Sequence, residues 1–157
     1  MNLKSIVAGN TMQLTRFSDY AMRVLMYTHA ANGRLVTIEE MASNYRISRA
    51  HLMKVVNTLT RARYLTAVRG RTGGVTLARP ADKINLGAVI RDTEPDFALV
   101  ECFSCKEACI VGGCCKLPAV LRRAMAAFLA ELDRHTLASI AIKPKDFIAV
   151  FPEAIRG

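Results

Sequence analysis

Apolar residues recur at helical spacing over residues 18–31, where Ala21, Met22, Leu25, Met26 and Ala30 share a stripe and Asn32-Gly33 supplies a stop. The pattern predicts a first helix with Ser18 as its N-cap. Thr37-Ile-Glu-Glu40 matches a capping box, in which hydroxyl and carboxylate each satisfy an unpaired backbone N–H, and predicts a second helix to about Tyr45. Ser48 caps a third over residues 49–63, with Leu52, Val55, Val56 and Leu59 on one face and Arg49, His51, Lys54, Asn57 and Arg61 largely elsewhere. The period then drops to two at residues 65–68 and 75–77, around Arg69-Gly-Arg71-Thr-Gly-Gly74, which predicts a hairpin with a basic tip. A short helix opens at Asn85 and ends before Pro95. Leu117, Leu121, Met125, Phe128 and Leu132 form an apolar seam inside residues 116–140, which as one helix would run about 37 Å. That is longer than so small a domain needs for its own core, so the helix is expected to pair with a second copy.

Two helices joined by a tight turn, the second amphipathic and basic, followed by a basic hairpin, make a winged helix-turn-helix. The expected fold is mainly α with a small β wing, completed by a long C-terminal dimerisation helix. Expected divisions are a flexible extension (1–11), the winged domain (12–94), a cysteine-rich loop (95–116), the dimerisation helix (117–141) and a tail (142–157). Charge follows the same plan. Of the net +9, residues 1–80 carry all the excess, with 12 Lys/Arg against 3 Asp/Glu, while residues 81–157 carry ten of each. A basic half of this shape suits the phosphate backbone of DNA. The contacts expected are Ser48, Arg49, His51, Lys54 and Asn57 from the third helix and Arg69 and Arg71 from the wing tip. Two such helices in a homodimer would meet a near-palindromic duplex.

The longest uncharged stretch, residues 5–15, is too short to span a membrane, and no secretory signal is evident, so a cytoplasmic, reducing location is expected. Five cysteines within 14 residues (Cys102, Cys105, Cys109, Cys114 and Cys115) then point to metal rather than disulfides. Zinc favours paired Cys-x-x-Cys knuckles, and Cys102-x-x-Cys105 has only the adjacent pair Cys114-Cys115 for company. Wider, irregular spacing suits an iron-sulfur cluster better. Nothing resembles a catalytic constellation: there is no Ser-His-Asp signature, and His29, His51 and His135 show no ligand spacing. The chain is not expected to be an enzyme.

Leu14-Thr-Arg-Phe-Ser-Asp-Tyr20, Ser48-Arg-Ala-His-Leu-Met-Lys54, Val68-Arg-Gly-Arg-Thr-Gly-Gly-Val75, and Leu99-Val-Glu-Cys-Phe103 with Cys115-Lys-Leu117 resemble the bacterial winged-helix iron-sulfur regulators, closest to their nitric-oxide-sensing NsrR branch. The resemblance implies three cysteine ligands, at Cys102, Cys109 and Cys115, with Cys105 and Cys114 as possible substitutes. It implies a fourth ligand at Asp19, contributed across the dimer, and a 4Fe-4S cluster in preference to 2Fe-2S. The His that serves the cluster-biogenesis branch is replaced here by Pro118. A repressor that leaves DNA when nitric oxide attacks the cluster is therefore expected. The alternatives are a regulator of the same family that responds to iron or cluster status, and a zinc-stabilised DNA-binding protein with no sensory cluster.

Overall fold

The computed structural model describes residues 13–97 and 115–152. Three helices, α1 (Arg16–Ala30), α2 (Ile38–Tyr45) and α3 (Arg49–Arg61), lead into a hairpin of β1 (Leu65–Val68) and β2 (Gly74–Leu77). A 3-10 turn (Ala81–Lys83) and α4 (Leu86–Thr93) follow; then come α5 (Leu117–Asp133), a second 3-10 turn (Leu137–Ile140) and α6 (Pro144–Val150). The mainly helical winged fold expected from the periodicities is present.

The core lies where α1 crosses α3 and α4, and the predicted stripe of α3 (Leu52, Val55, Val56, Leu59) is buried in it with Val24, Leu25, Met41 and Val89. The cap of α1 is not Ser18 but Thr15, whose hydroxyl accepts from the Ser18 N–H. Ser18 is fully buried, and its hydroxyl donates to Thr93 at 2.9 Å. At α2 the Thr37 half of the capping box forms as expected. The Glu40 half is largely redirected: its carboxylate takes hydrogen bonds from Arg34 at 2.6 and 2.9 Å and from the Tyr27 hydroxyl at 2.8 Å. Burial alone would raise the Glu40 pKa, but these bonds, the Arg34 charge and the Thr37 N–H together hold it below the usual carboxylate value.

Antiparallel pairing sets Leu65 opposite Leu77 and Val68 opposite Gly74, and a bridge from Val75 to Val36 ties the hairpin to the turn before α2. The wing glycines divide the labour. Gly70 takes the left-handed backbone (φ 115°) at the tip, whereas a Cβ on Gly74 would lie 2.8 Å from the Val36 carbonyl oxygen, so the bridge requires a residue without one.

The helix expected over residues 116–140 stops at Asp133, giving about 26 Å rather than 37 Å. Long-range contacts end it: Asn85 bridges Thr136, the Leu86 N–H donates to His135 O at 3.0 Å and the Leu137 N–H to Ile84 O at 2.8 Å. Leu137 is thereby buried, its turn packed on the first 3-10 turn and α1, and Arg91 clamps Asp133 through two 2.6 Å hydrogen bonds. Beyond it α6 turns back onto the first half, where Phe147 and Phe151 join Tyr27 and Tyr45 in a four-ring cluster with centroids 4.9–5.6 Å apart.

Candidate nucleic-acid interface and metal centre

Burying Leu52, Val55, Val56 and Leu59 fixes which way the rest of α3 looks. At 100° per residue the opposite face carries Ala50, Met53, Lys54, Asn57 and Arg61, all exposed. Lys54 and Asn57, expected as DNA contacts, lie in the middle of it. Arg49 and His51 are exposed but sit at its flanks. Arg49 reaches Glu39 of α2 at 3.3 Å, and the His51 ring lies 6.5 Å from that of Tyr20 on α1. Ser48 stands at the N-cap, exposed and with no side-chain capping bond, and a helix start without a side-chain cap is suited to a phosphate. Arg69 and Arg71 are exposed on the wing tip beside Gly70. The expected list missed Ala50, Met53 and Arg61, which the period of the buried quartet places on the outward face.

Both helices of the helix-turn-helix end the same way. Arg46 after α2 and Arg63 after α3 adopt left-handed backbone (φ 54° and 60°). The following N–H groups, of Ile47 and Tyr64, bond back to Ala42 O and Leu59 O at 3.1 and 2.9 Å. These are Schellman closures with arginine where glycine is usual. Arg79 buttresses the second one, donating to Ala62 O and Arg63 O at 3.1 Å while its guanidinium lies 4.6 Å from the Tyr64 ring centre.

Of the expected metal ligands, Cys102, Cys109 and the substitutes Cys105 and Cys114 lie outside the described residues, as does residues 1–11. Cys115 is a half-buried free thiol two residues before α5. Asp19 is half-exposed in the first turn of α1, and both its oxygens engage Arg23, at 2.9 and 3.0 Å. Among the described residues no three His, Cys, Asp or Glu side chains converge as metal ligands. The start of α1 is nonetheless tied to the point where the cysteine segment leaves the domain: Glu94 accepts from the Thr15 N–H at 2.8 Å and its hydroxyl at 3.2 Å. There, Leu14 and Thr15, Glu94 to Phe97, and Met125 and Phe128 of α5 enclose a cleft of about 510 Å³. On α5 no residue is buried, and Leu117, Val120 and Phe128 are 51%, 48% and 41% exposed.

A helix-turn-helix with a basic wing, built on a charged half-chain, defines a winged-helix DNA-binding regulator. Residues 14–143 match the Rrf2 family model, described as an iron-dependent transcriptional regulator, and the chain belongs to that family. Solved structures agree in fold. A protein described as a transcriptional regulator from Listeria innocua superposes with a TM-score of 0.67 at 22% identity, covering 84% of this chain and 88% of its own. CymR, the global cysteine regulator of B. subtilis, gives 0.62 at 21% identity over 83% and 97%. IscR from T. potens gives 0.61 at 21% identity over 82% and 85%. Among the described residues no helix is long and apolar enough to cross a membrane.

Proposed function

We propose that this Rrf2-family regulator is a homodimeric repressor that places α3 in the major groove and holds an iron-sulfur cluster whose integrity governs its grip. The outward face of α3 carries the proposal: Lys54 and Asn57 lie on the side opposite the core, flanked by Ser48, Arg49 and His51, and Arg69 and Arg71 are exposed on the wing tip. Asn57 has the amide that pairs bidentately with adenine; Ser48 and the arginines suit phosphates, and the wing tip suits the minor groove. Dimerisation through α5 is supported by a 17-residue helix with no buried residue of its own.

The donor set fits such a cluster chemically. Five thiols fall within 14 residues, and Cys115 is free and half-buried. Cys102, Cys109 and Cys115 would hold it, with Asp19 of the partner subunit as the fourth ligand and Cys105 or Cys114 as replacements. A bound cluster with one oxygen-ligated iron supplies an exchangeable corner open to nitric oxide. To ligate, Asp19 must give up at least part of its bidentate pairing with Arg23, so the protein supplies a competing resting place for that carboxylate. The link across the dimer would set the spacing of the two α3 helices, and operator affinity would follow the difference in free energy between linked and unlinked dimers.

Anaerobically purified protein is expected to be coloured, and titration with nitric oxide to bleach the chromophore and release a promoter duplex in parallel. Asp19→Ala should alter the spectrum and the response. If iron chelation releases DNA while nitric oxide does not, the signal is cluster status, the reading that the family's description as iron-dependent favours. Colourless protein that contains zinc and binds at full strength overturns the sensor altogether.

A further inference from the structure

Met53 is the one large apolar side chain among the described residues of α3 that is left in solvent, 40% exposed, whereas the other large apolar residues of the helix lie in the core. It stands on the outward face one turn after Ala50 and one turn before Asn57, beside Lys54. The flanking positions are the ones turned aside, Arg49 toward Glu39 and His51 toward Tyr20. Along that face Ala50, Met53 and Asn57 follow one another at successive turns, with Lys54 and Arg61 as the charges beside them.

We propose that Met53 is a specificity-determining residue that reads a thymine 5-methyl group in the major groove, with Ala50 letting the helix approach closely. This rests on the DNA-binding reading above. The thymine methyl is the one apolar group the major groove offers, and an unbranched thioether side chain has the reach and adaptability to cover it. Four residues of helix rise about 6 Å against 3.4 Å per base step, so the methyl lies within about two base pairs of the base read by Asn57. The prediction is a specificity for thymine near adenine in each half-site, independent of phosphate contacts.

The test uses the full-length, anaerobically prepared dimer and the duplex it enriches from a randomised pool. Each thymine of that duplex is replaced singly by deoxyuridine, which removes only the methyl group. Wild-type affinity should fall about fourfold at one thymine per half-site, the burial of one methyl group that deoxyuridine forfeits. That thymine should lie within two base pairs of the position whose preference is lost in Asn57→Ala. In Met53→Gln the deoxyuridine penalty should vanish, and in Met53→Leu it should persist, with binding to random-sequence duplex unchanged in both. An undiminished penalty in Met53→Gln overturns the proposal while leaving the regulator reading intact. A pool that yields no enriched sequence overturns the regulator reading, and this one with it.

Discussion

Arg63 holds a left-handed backbone that costs a side-chain-bearing residue about 1 kcal/mol or more, and its carbonyl is already fastened by Arg79. Replacing it by glycine keeps every backbone bond of the closure and removes that cost. Arg63→Gly should therefore raise the melting temperature by a few degrees, about 0.5–1 kcal/mol, measured by calorimetry. Glu40 acts in the opposite sense. Its pKa is lowered in the folded chain, so its stabilisation is fully present above the ordinary carboxylate value of about 4.3 and disappears as pH falls through the lowered one. Glu40→Gln should melt lower at pH 7, and the gap from wild type should close on titration from pH 5 to pH 3. A gap that stays constant with pH would show that the Arg34 and Tyr27 bonds do not depend on the carboxylate charge.

At the scale of elements, α6 shows how a short helix is made stable by what it covers. Seven residues are far too few to be helical alone. Phe147, 2% exposed, and Phe151 supply the missing stability by closing the ring cluster over Tyr27 and Tyr45. Burial pushes the Tyr45 phenol up to about 12, consistent with a hydroxyl that sits among rings and donates to Arg23 O at 3.1 Å. Phe147→Ala should cost about 3 kcal/mol in thermal unfolding, and Ile148→Ala, on the exposed side of the same helix, almost nothing. Legibility differed among elements for the same reason. The α3 stripe and the wing repeat within a few residues, so local period reveals them. The end of α5 depends on Asn85 meeting Thr136 fifty-one positions away, and the N-cap of α1 on Ser18 being taken by Thr93; neither contact leaves a local pattern.

At the scale of the whole molecule, Leu117, Val120 and Phe128 of α5 and Leu14, just before α1, leave apolar side chains exposed among the described residues. A second subunit seated there would bury them. If the proposed homodimer forms through this surface, Phe128→Asp should yield monomer in sedimentation and weaken operator binding far more than binding to a single half-site. The basic face was legible from charge alone, because the excess lies within 80 residues, yet which side chains point outward required the buried quartet to be located. The proposed metal centre is legible in the sequence only as a density of cysteines, because the ligands proposed for it come from separate segments, with Asp19 assigned to the partner subunit only by the proposal.

The ring cluster has a consequence for chimeras. The Rrf2 match ends at residue 143, but Phe147 packs against Tyr27 and Phe151 against Tyr45, the last residue before the turn into α3. Grafting the front half of this chain onto the rear half of a relative would leave two tyrosine rings bare beside the reading head. Transplanted specificity should travel intact only when residues 144–151 go with it.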